Sequence, residues 1–385
     1  MRAIRKLFAG LAIVSLIGVS TVAYGQNGSA IGLEEIDGRT WLIDPTGRPF
    51  FAHGVTHVGQ GGHTEDVHDI AQACKDLGFN AYGYGCPPEL RSDMPYVDGR
   101  NGIVPMSIYR TSNNSFRYVD VFDPAEQARM TGIIRQMCQS NQGNPNLIGY
   151  YWTDLGAWNL ENPTGTNWVE FIRSLPEDAP GQQAYRDFLE TWQGDDDEAR
   201  DRAFLRLIAR EYFRTLGEAN REYDPDRLIF GDRFTFQMAV PEVLEEIVPY
   251  VDAIAIQPQF NPGFPERQYD RIHELTGKPI VICDFAIRFQ EEGKNIRGWR
   301  PQETDRLAGQ RYAEYVREAF AKPYIIGMFW CNPINSGGEF GNGGIKQGLY
   351  GKGLVPRPGL HEEIRELNRY LEENTPAASD RKAES

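Results

Sequence analysis

Five cysteines among 385 residues are too few and too scattered to form a framework. Cys74, Cys86, Cys138, Cys283 and Cys331 show no CxxC spacing and are odd in number. This argues against a disulfide-stapled scaffold but leaves room for one or two bridges in an oxidising compartment. Histidine is equally sparse, at six residues. His53, His57, His63 and His68 cluster in sequence but match no ligand spacing, so neither a metal site nor a cofactor is expected. Basic residues number 40 against 54 acidic ones, for a net charge of −14. Without a basic patch to neutralise phosphates, no nucleic-acid partner is expected, and an anionic polymer is a harder substrate for the same reason. Long apolar runs are absent too, with one exception. Leu7 to Ala23 is uncharged and mostly apolar, follows Arg2, Arg5 and Lys6, and ends at Ala23-Tyr24-Gly25, with small residues at the spacing a signal peptidase requires. Residues 1–25 therefore read as a signal peptide, the alternative being a retained anchor, for which the run is slightly short. The expectation is a secreted or periplasmic protein with no integral membrane span after cleavage. Its charge would deepen to −17 as the three basic residues leave.

What is present is a large apolar fraction, 41%, arranged as short runs alternating with amphipathic stretches. That alternation implies a parallel sheet covered by helices. Eight strands are predicted: Pro49–Val55, Ala81–Tyr84, Ile103–Tyr109, Leu147–Trp152, Arg227–Phe230, Ala253–Gln257, Pro279–Cys283 and Ile325–Trp330. Helices are predicted at Val67–Leu77, at Pro124–Ser140 with Asp123 as cap, and at Leu360–Leu371. The loop after the first strand holds glycines but no dinucleotide fingerprint. A closed α/β barrel, the (β/α)8 or TIM barrel, is thus the expected fold, covering residues 26–373 as one catalytic domain, with a polar, disordered tail over 374–385. Two long excursions follow strands 4 and 8: Leu155 to Asp226, with two helices, and Asn332 to Pro358. Both start at the strand ends where barrel active sites sit. The acidic run Asp195–Glu198 reads as a helix start rather than a calcium site.

Two carboxylates stand where apolar runs stop: Asp154 after Leu147–Thr153, and Asp284 after Pro279–Cys283. Alternation along strand 7 predicts Ile280, Ile282 and Asp284 pointing inward. Strands 4 and 7 lie on opposite sides of an eight-stranded ring, so acids at their ends can flank a sugar. Glycoside hydrolysis needs two such acids. The alternative is that each caps the next segment. Aromatics total 7 Trp, 18 Tyr and 20 Phe. Several fall at strand ends, among them Tyr82, Tyr84, Tyr151, Trp152, Trp158, Phe260 and Trp330, where rings would pack on sugar faces.

The segment Trp41-Leu42-Ile43-Asp44-Pro45-Thr46-Gly47-Arg48-Pro49-Phe50-Phe51, followed by Gly54, resembles the start of the agarase-like and related enzymes of the large retaining glycosidase clan. Gly78-Phe79-Asn80 resembles that clan's second strand, Gly149–Asp154 its fourth, Leu228–Phe234 its fifth and Lys278–Phe285 its seventh. The resemblance covers most of the chain from about Asp37 to Leu371. It implies a (β/α)8 glycoside hydrolase with its acid/base at Asp154, its nucleophile at Asp284, and Trp330 stacking on the sugar. The clan uses Glu at both catalytic places and usually Asn where Thr153 stands. Asp retracts each carboxyl by ~1.5 Å, so a retaining gap of ~5–5.5 Å would widen to roughly 7–8.5 Å, inside the inverting range of ~6.5–9.5 Å. Direct displacement by water is therefore expected, with Asp154 as general acid, its pKa raised by Trp152 and Trp158, and Asp284 as base. Arg233 and Gln257 are expected to orient Asp284 or bind hydroxyls. His57 and Asn80 are expected to line the pocket floor, and Glu339 to contact substrate or replace a carboxylate. The partner is then a plant or algal polysaccharide or oligosaccharide. Two rivals remain: a carbohydrate-binding pseudoenzyme of the same fold, and a polysaccharide lyase.

Overall fold

A computed structural model describes residues 30–59, 65–99, 102–104, 118–161, 166–258, 263–290, 301–334 and 345–377. The chain enters as an antiparallel hairpin, β1 (Gly32–Ile36) and β2 (Arg39–Ile43), turned by Asp37 and Gly38, both at positive φ (52° and 72°). Two consecutive positive φ values match the twist of a tight hairpin, and Asp-Gly is the sequence that tolerates them. A third strand, β3 (Pro49–Phe50), completes this small sheet. The run expected as one strand, Pro49–Val55, is thus split: β3 joins the hairpin, and β4 (Ala52–Val55) enters the barrel.

The barrel closes in the order β10-β12-β4-β5-β6-β7-β8-β9, all parallel, with β5 at Ala81–Tyr82, β6 at Tyr96–Gly99, β7 at Leu147–Asp154, β8 at Leu228–Phe234, β9 at Ile254–Ile256, β10 at Ile280–Phe285 and β12 at Ile325–Trp330. The expected (β/α)8 architecture is what the chain forms. Strand 3 is a correction: the barrel strand between β5 and β7 is Tyr96–Gly99, and of the expected run Ile103–Tyr109 only Ile103 and Val104 are among the described residues. Ile103 and Val104 are fully buried, which accounts for their apolar signal, but they lie beyond the strand.

Ala52, Val97, Ile148, Leu228, Ala255, Val281, Cys283, Ile326 and Phe329 fill the barrel interior. Ile254, Ile256, Ile280, Ile282, Tyr150, Trp152, Met328 and Trp330 face the helices. Ile280 and Ile282 therefore point outward, against expectation. A parallel strand buried on both faces is apolar throughout, so alternation cannot set its phase. Gly54 is needed inside, because a Cβ there would lie 2.4 Å from the Ala81 carbonyl oxygen and 2.6 Å from the Phe329 ring.

Nine helices are described: α1 (Val67–Asp76), α2 (Pro124–Asn141), α3 (Trp168–Arg173), α4 (Pro180–Thr191), α5 (Asp197–Tyr223), α6 (Pro241–Ile247), α7 (Glu266–Thr276), α8 (Asp305–Ala321) and α9 (Pro358–Glu373). The excursion after β7 carries three of them rather than two. Asp123 caps α2, and Asp196 caps α5 by accepting from the Glu198 and Ala199 N–H groups at 2.9 and 3.1 Å. A second pair, β11 (Phe289–Gln290) with β13 (Ile345–Lys346), lies outside the barrel. All five cysteines are buried, and none is bridged to another. No described helix is long and apolar enough to cross a membrane.

The hairpin sheet decides which barrel end stays open. Thr40 N–H donates to the Pro323 carbonyl just before β12 at 2.9 Å. Ile31, Leu42 and Phe50 join the interior cluster. The N-terminal end is thereby plugged, which leaves the C-terminal strand ends for chemistry.

Candidate active site

Two strand-end irregularities bring the acids to the barrel mouth. On β10 the pairing with β12 slips between Ile282 and Phe285, so Cys283 faces the interior, Phe285 packs on Tyr312 and Tyr315 of α8, and Asp284 between them turns to the rim. On β7 the pairing with β8 slips twice between Tyr150 and Asp154, and Asp154 ends opposite Arg233. A bulge re-aims a side chain in this way.

Asp284 is 3% exposed. The Tyr84 hydroxyl donates to its Oδ2, the Thr56 hydroxyl lies 3.5 Å from its Oδ1, and His57 Nε2 stands 3.8 Å from Oδ2. Burial pushes its carboxyl up to about 6, against the hydrogen bonds from Cys331 and Tyr84 and the charge of Arg233, while the charge of Asp154 pushes the same way as burial. His57 Nε2 also meets the Tyr84 oxygen at 2.8 Å.

Arg233, 2% exposed, ties the two acids together. One terminal nitrogen, Nη2, lies 2.8 Å from Asp154 Oδ1, and its guanidinium carbon sits 3.6 Å above the Tyr84 ring. Burial alone would lower its pKa, but Asp154 and the other groups around it outweigh that and hold it firmly charged. The Asp154 side chain keeps a quarter of its surface exposed. Asp154, Arg233, Tyr84, Asp284 and His57 therefore form one connected cluster from β7, β8, β10 and the segments after β5 and β4.

The other expected residues fall differently. Trp152 turns outward and donates to Asn220 of α5 at 3.0 Å, stacking on Phe213. Trp158 is fully buried between Trp168 and Tyr212 and donates to Asp232 at 3.0 Å. Neither faces Asp154, so the expected desolvation by these two rings has no basis. The strand phase sends Trp152 to the helix layer, and the acidic partner of Trp158 lies behind the rim. Trp330 is also fully buried, edge-on to Tyr312 of α8 with ring centroids 4.5 Å apart; its carbonyl, not its ring, points toward the mouth, accepting from Thr56 N–H at 2.8 Å. Asn80 precedes β5 and so lies at the plugged end, where it accepts from His53 N–H and donates to the Phe51 carbonyl, each at 2.9 Å. Gln257 sits one residue past β9 at the rim, its N–H donating to Phe234 at 2.7 Å. Glu339 and Phe260 lie outside the described residues.

Three contributors were not singled out from sequence. Tyr84 reads in the sequence only as a strand-end aromatic, whereas its hydroxyl donates to Asp284. Asp232, next to Arg233, is buried and pushed up to about 7 by that burial, while it accepts from Trp158, the Thr153 N–H and the Tyr212 hydroxyl. Cys331 follows β12, and its Sγ, His57 Nε2 and an Asp284 oxygen all lie within 4.8 Å of one another.

No protein-family model matches the chain. It is similar to beta-agarase B of Vibrio sp. (strain JT0107), 23% identical over 132 residues, which is 34% of this chain and 14% of that enzyme. Among solved structures it resembles an exo-beta-agarase (TM-score 0.76, 15% identity, 90% of this chain and 65% of that one). It also resembles another agarase (0.72, 17%, 89% and 63%) and, more distantly, a beta-glucuronidase of an uncultured Clostridium sp. (0.56, 15%, 89% and 53%). The chain thus spans less than two thirds of each, and at these identities the likeness establishes the barrel fold.

Proposed function

We propose that this chain is an exported glycoside hydrolase acting on a polysaccharide, with Asp284 as proton donor and Asp154 as the carboxylate that activates water. One observation carries the reading: two strand-end carboxyls meet one buried Arg233–Tyr84 pair at the open end of the barrel. The general acid must hold its proton before the reaction. Burial favours the protonated form of Asp284, with a carboxyl near 6, while Asp154 is paired with the Arg233 guanidinium at 2.8 Å and keeps a quarter of its side chain open to water. This reverses the roles that the resemblance implies. The short side chains favour single displacement, with water between Asp154 and the anomeric carbon. Arg233 then holds Asp154 in place through the contact at 2.8 Å, and Tyr84 orients Asp284. The agarase neighbours make agar-type galactans the first substrates to try, and the leader pattern of residues 1–25 supports export.

The test is reducing-end release on a polysaccharide panel that includes agarose. Asp154→Asn and Asp284→Asn should each lower kcat by roughly 10²–10⁴-fold, and proton NMR of the first product should show an inverted anomer. Sugar binding without turnover by the unsubstituted chain would leave a binding protein instead.

A further inference from the structure

The geometry points to a metal site at the barrel mouth, in which His57 Nε2, Asp284 and Cys331 Sγ bind one zinc-class divalent cation. The three ligands come from neighbouring strands. Asp284 belongs to β10, Cys331 follows β12 and His57 follows β4, and these strands lie side by side in the barrel. Their ends are stitched by backbone bonds, Cys331 N–H to the Phe285 carbonyl at 2.9 Å and Thr56 N–H to the Trp330 carbonyl at 2.8 Å. Ligands on such rigid supports lose little freedom on binding.

The spacing suits a tetrahedral ion. Bonds of ~2.0–2.3 Å place ligands roughly 3.3–3.7 Å apart. His57 Nε2 and Asp284 Oδ2 are already 3.8 Å apart, and no pair of ligand atoms exceeds 4.8 Å. A contraction of about 1 Å would close the set, leaving the fourth position to water, as in open zinc sites. The donor types select the metal. Imidazole and thiolate suit zinc or cobalt and disfavour calcium and magnesium, which want oxygen alone. A carboxylate and a thiolate also cancel the ion's two charges in a buried setting, while the neighbouring cation Arg233 is neutralised by Asp154.

Binding moves defined protons. Tyr84 donates to Asp284, so its oxygen accepts the Nε2 proton of His57 in the metal-free site. As the ion takes Nε2, that proton leaves to solvent and one is taken up at Nδ1, so the imidazole stays neutral with no net proton change. The Cys331 thiol, and the Asp284 carboxyl where it is protonated, release their protons to solvent as their bonds to the metal form. No electron transfer is involved.

This inference goes beyond the hydrolase reading and stands without it; with the ion bound, Asp284 cannot donate a proton, so any turnover belongs to the stripped protein and the ion inhibits it. The experiment uses the untagged full chain, stripped with chelator and titrated with Co2+ and then with Zn2+ against a chromophoric chelator. One ion per chain is expected, with a tetrahedral cobalt spectrum and a thiolate-to-cobalt charge-transfer band. Cys331→Ser should abolish that band and weaken Zn2+ binding by roughly 100-fold or more. Should that variant fail to fold, the cobalt spectrum of the unsubstituted chain and sulfur scattering in zinc X-ray absorption decide alone. Absence of the thiolate band, or equal affinity in Cys331→Ser, overturns the site. Metal binding without glycoside turnover in either the loaded or the stripped protein would uphold the site and refute the hydrolase. Turnover in the stripped protein without specific metal binding would do the reverse.

Discussion

Replacing Asp284 by Asn should stabilise this protein at neutral pH while abolishing its proposed activity. Asn keeps the shape of the side chain and removes a charge that the buried mouth resists. Burial lifts the Asp284 carboxyl from an ordinary 3.8 to about 6. At ~1.4 kcal/mol per pH unit, ionising it in the folded state costs on the order of 3 kcal/mol. The sign follows from proton counts. Between pH 3.8 and 6 the folded chain holds a proton that the unfolded chain has lost, so stability from this group is full below that window and falls as pH rises through it. Above pH 6 the loss is complete and constant. The Asp284→Asn variant has no such slope, so the stability difference between variant and parent should grow by about 2 kcal/mol between roughly pH 4.5 and pH 7.5. Urea denaturation at the two pH values measures it. Asp232 titrates nearby and burdens both proteins alike, so it cancels in the difference. A difference that stays flat with pH, or a variant that loses ground at the higher pH, would mean that Arg233 and Tyr84 overcome burial and hold Asp284 charged. The proton-donor role would then fall.

Tyr84→Phe removes the hydroxyl that donates to Asp284. Such a donor favours the charged carboxylate, so its loss should move the alkaline limb of kcat/KM upward from about pH 6 by something on the order of one pH unit; a limb that stays or falls denies Tyr84 this part. Asn80→Ala breaks two 2.9 Å bonds at the plugged end and should cost ~1–3 kcal/mol in a denaturant melt with KM unchanged; a raised KM at unchanged stability would return Asn80 to the substrate pocket.

The barrel was legible because each strand needs only a short apolar run and each helix an amphipathic one. Lys278-Pro279 before β10 and Asp123-Pro124 before α2 mark boundaries that the structure keeps to within a residue or two. Strand β6 was missed for a physical reason. Tyr96-Val97-Asp98-Gly99 carries an acid that a local reading assigns to a loop, yet Asp98 is buried and accepts from Asn141 of α2 at 2.7 Å. Arg91 also lies 3.4 Å from that carboxylate, so the acid is paired as well as buried, and one of these two partners is 43 residues away. The inward phase of β10 was misread for a related reason: with both faces buried, Ile280 and Val281 are equally apolar, and only the closed ring decides which faces in.

The same distinction separates what was legible in the site from what was not. That Asp154 and Asp284 end barrel strands is a local fact, and the chain displays it. Which acid carries the proton is not local. For the proposed donor Asp284 it depends on burial at the mouth, on the Tyr84 hydroxyl and on the Arg233 charge, all brought in from other strands. The tryptophans show the converse. Trp152 and Trp330 are adjacent in sequence to the chemistry, yet their rings belong to the helix layer, against Asn220 of α5 and Tyr312 of α8. Cys331 carries no local signal, since its companions, His57 and Asp284, stand 274 and 47 positions earlier. In a parallel barrel, strands distant in sequence become neighbours at closure, where β12 joins β4. Chemistry assembled at that seam has no linear spacing to betray it, so ligand sets in closed barrels are better sought by strand adjacency than by motif.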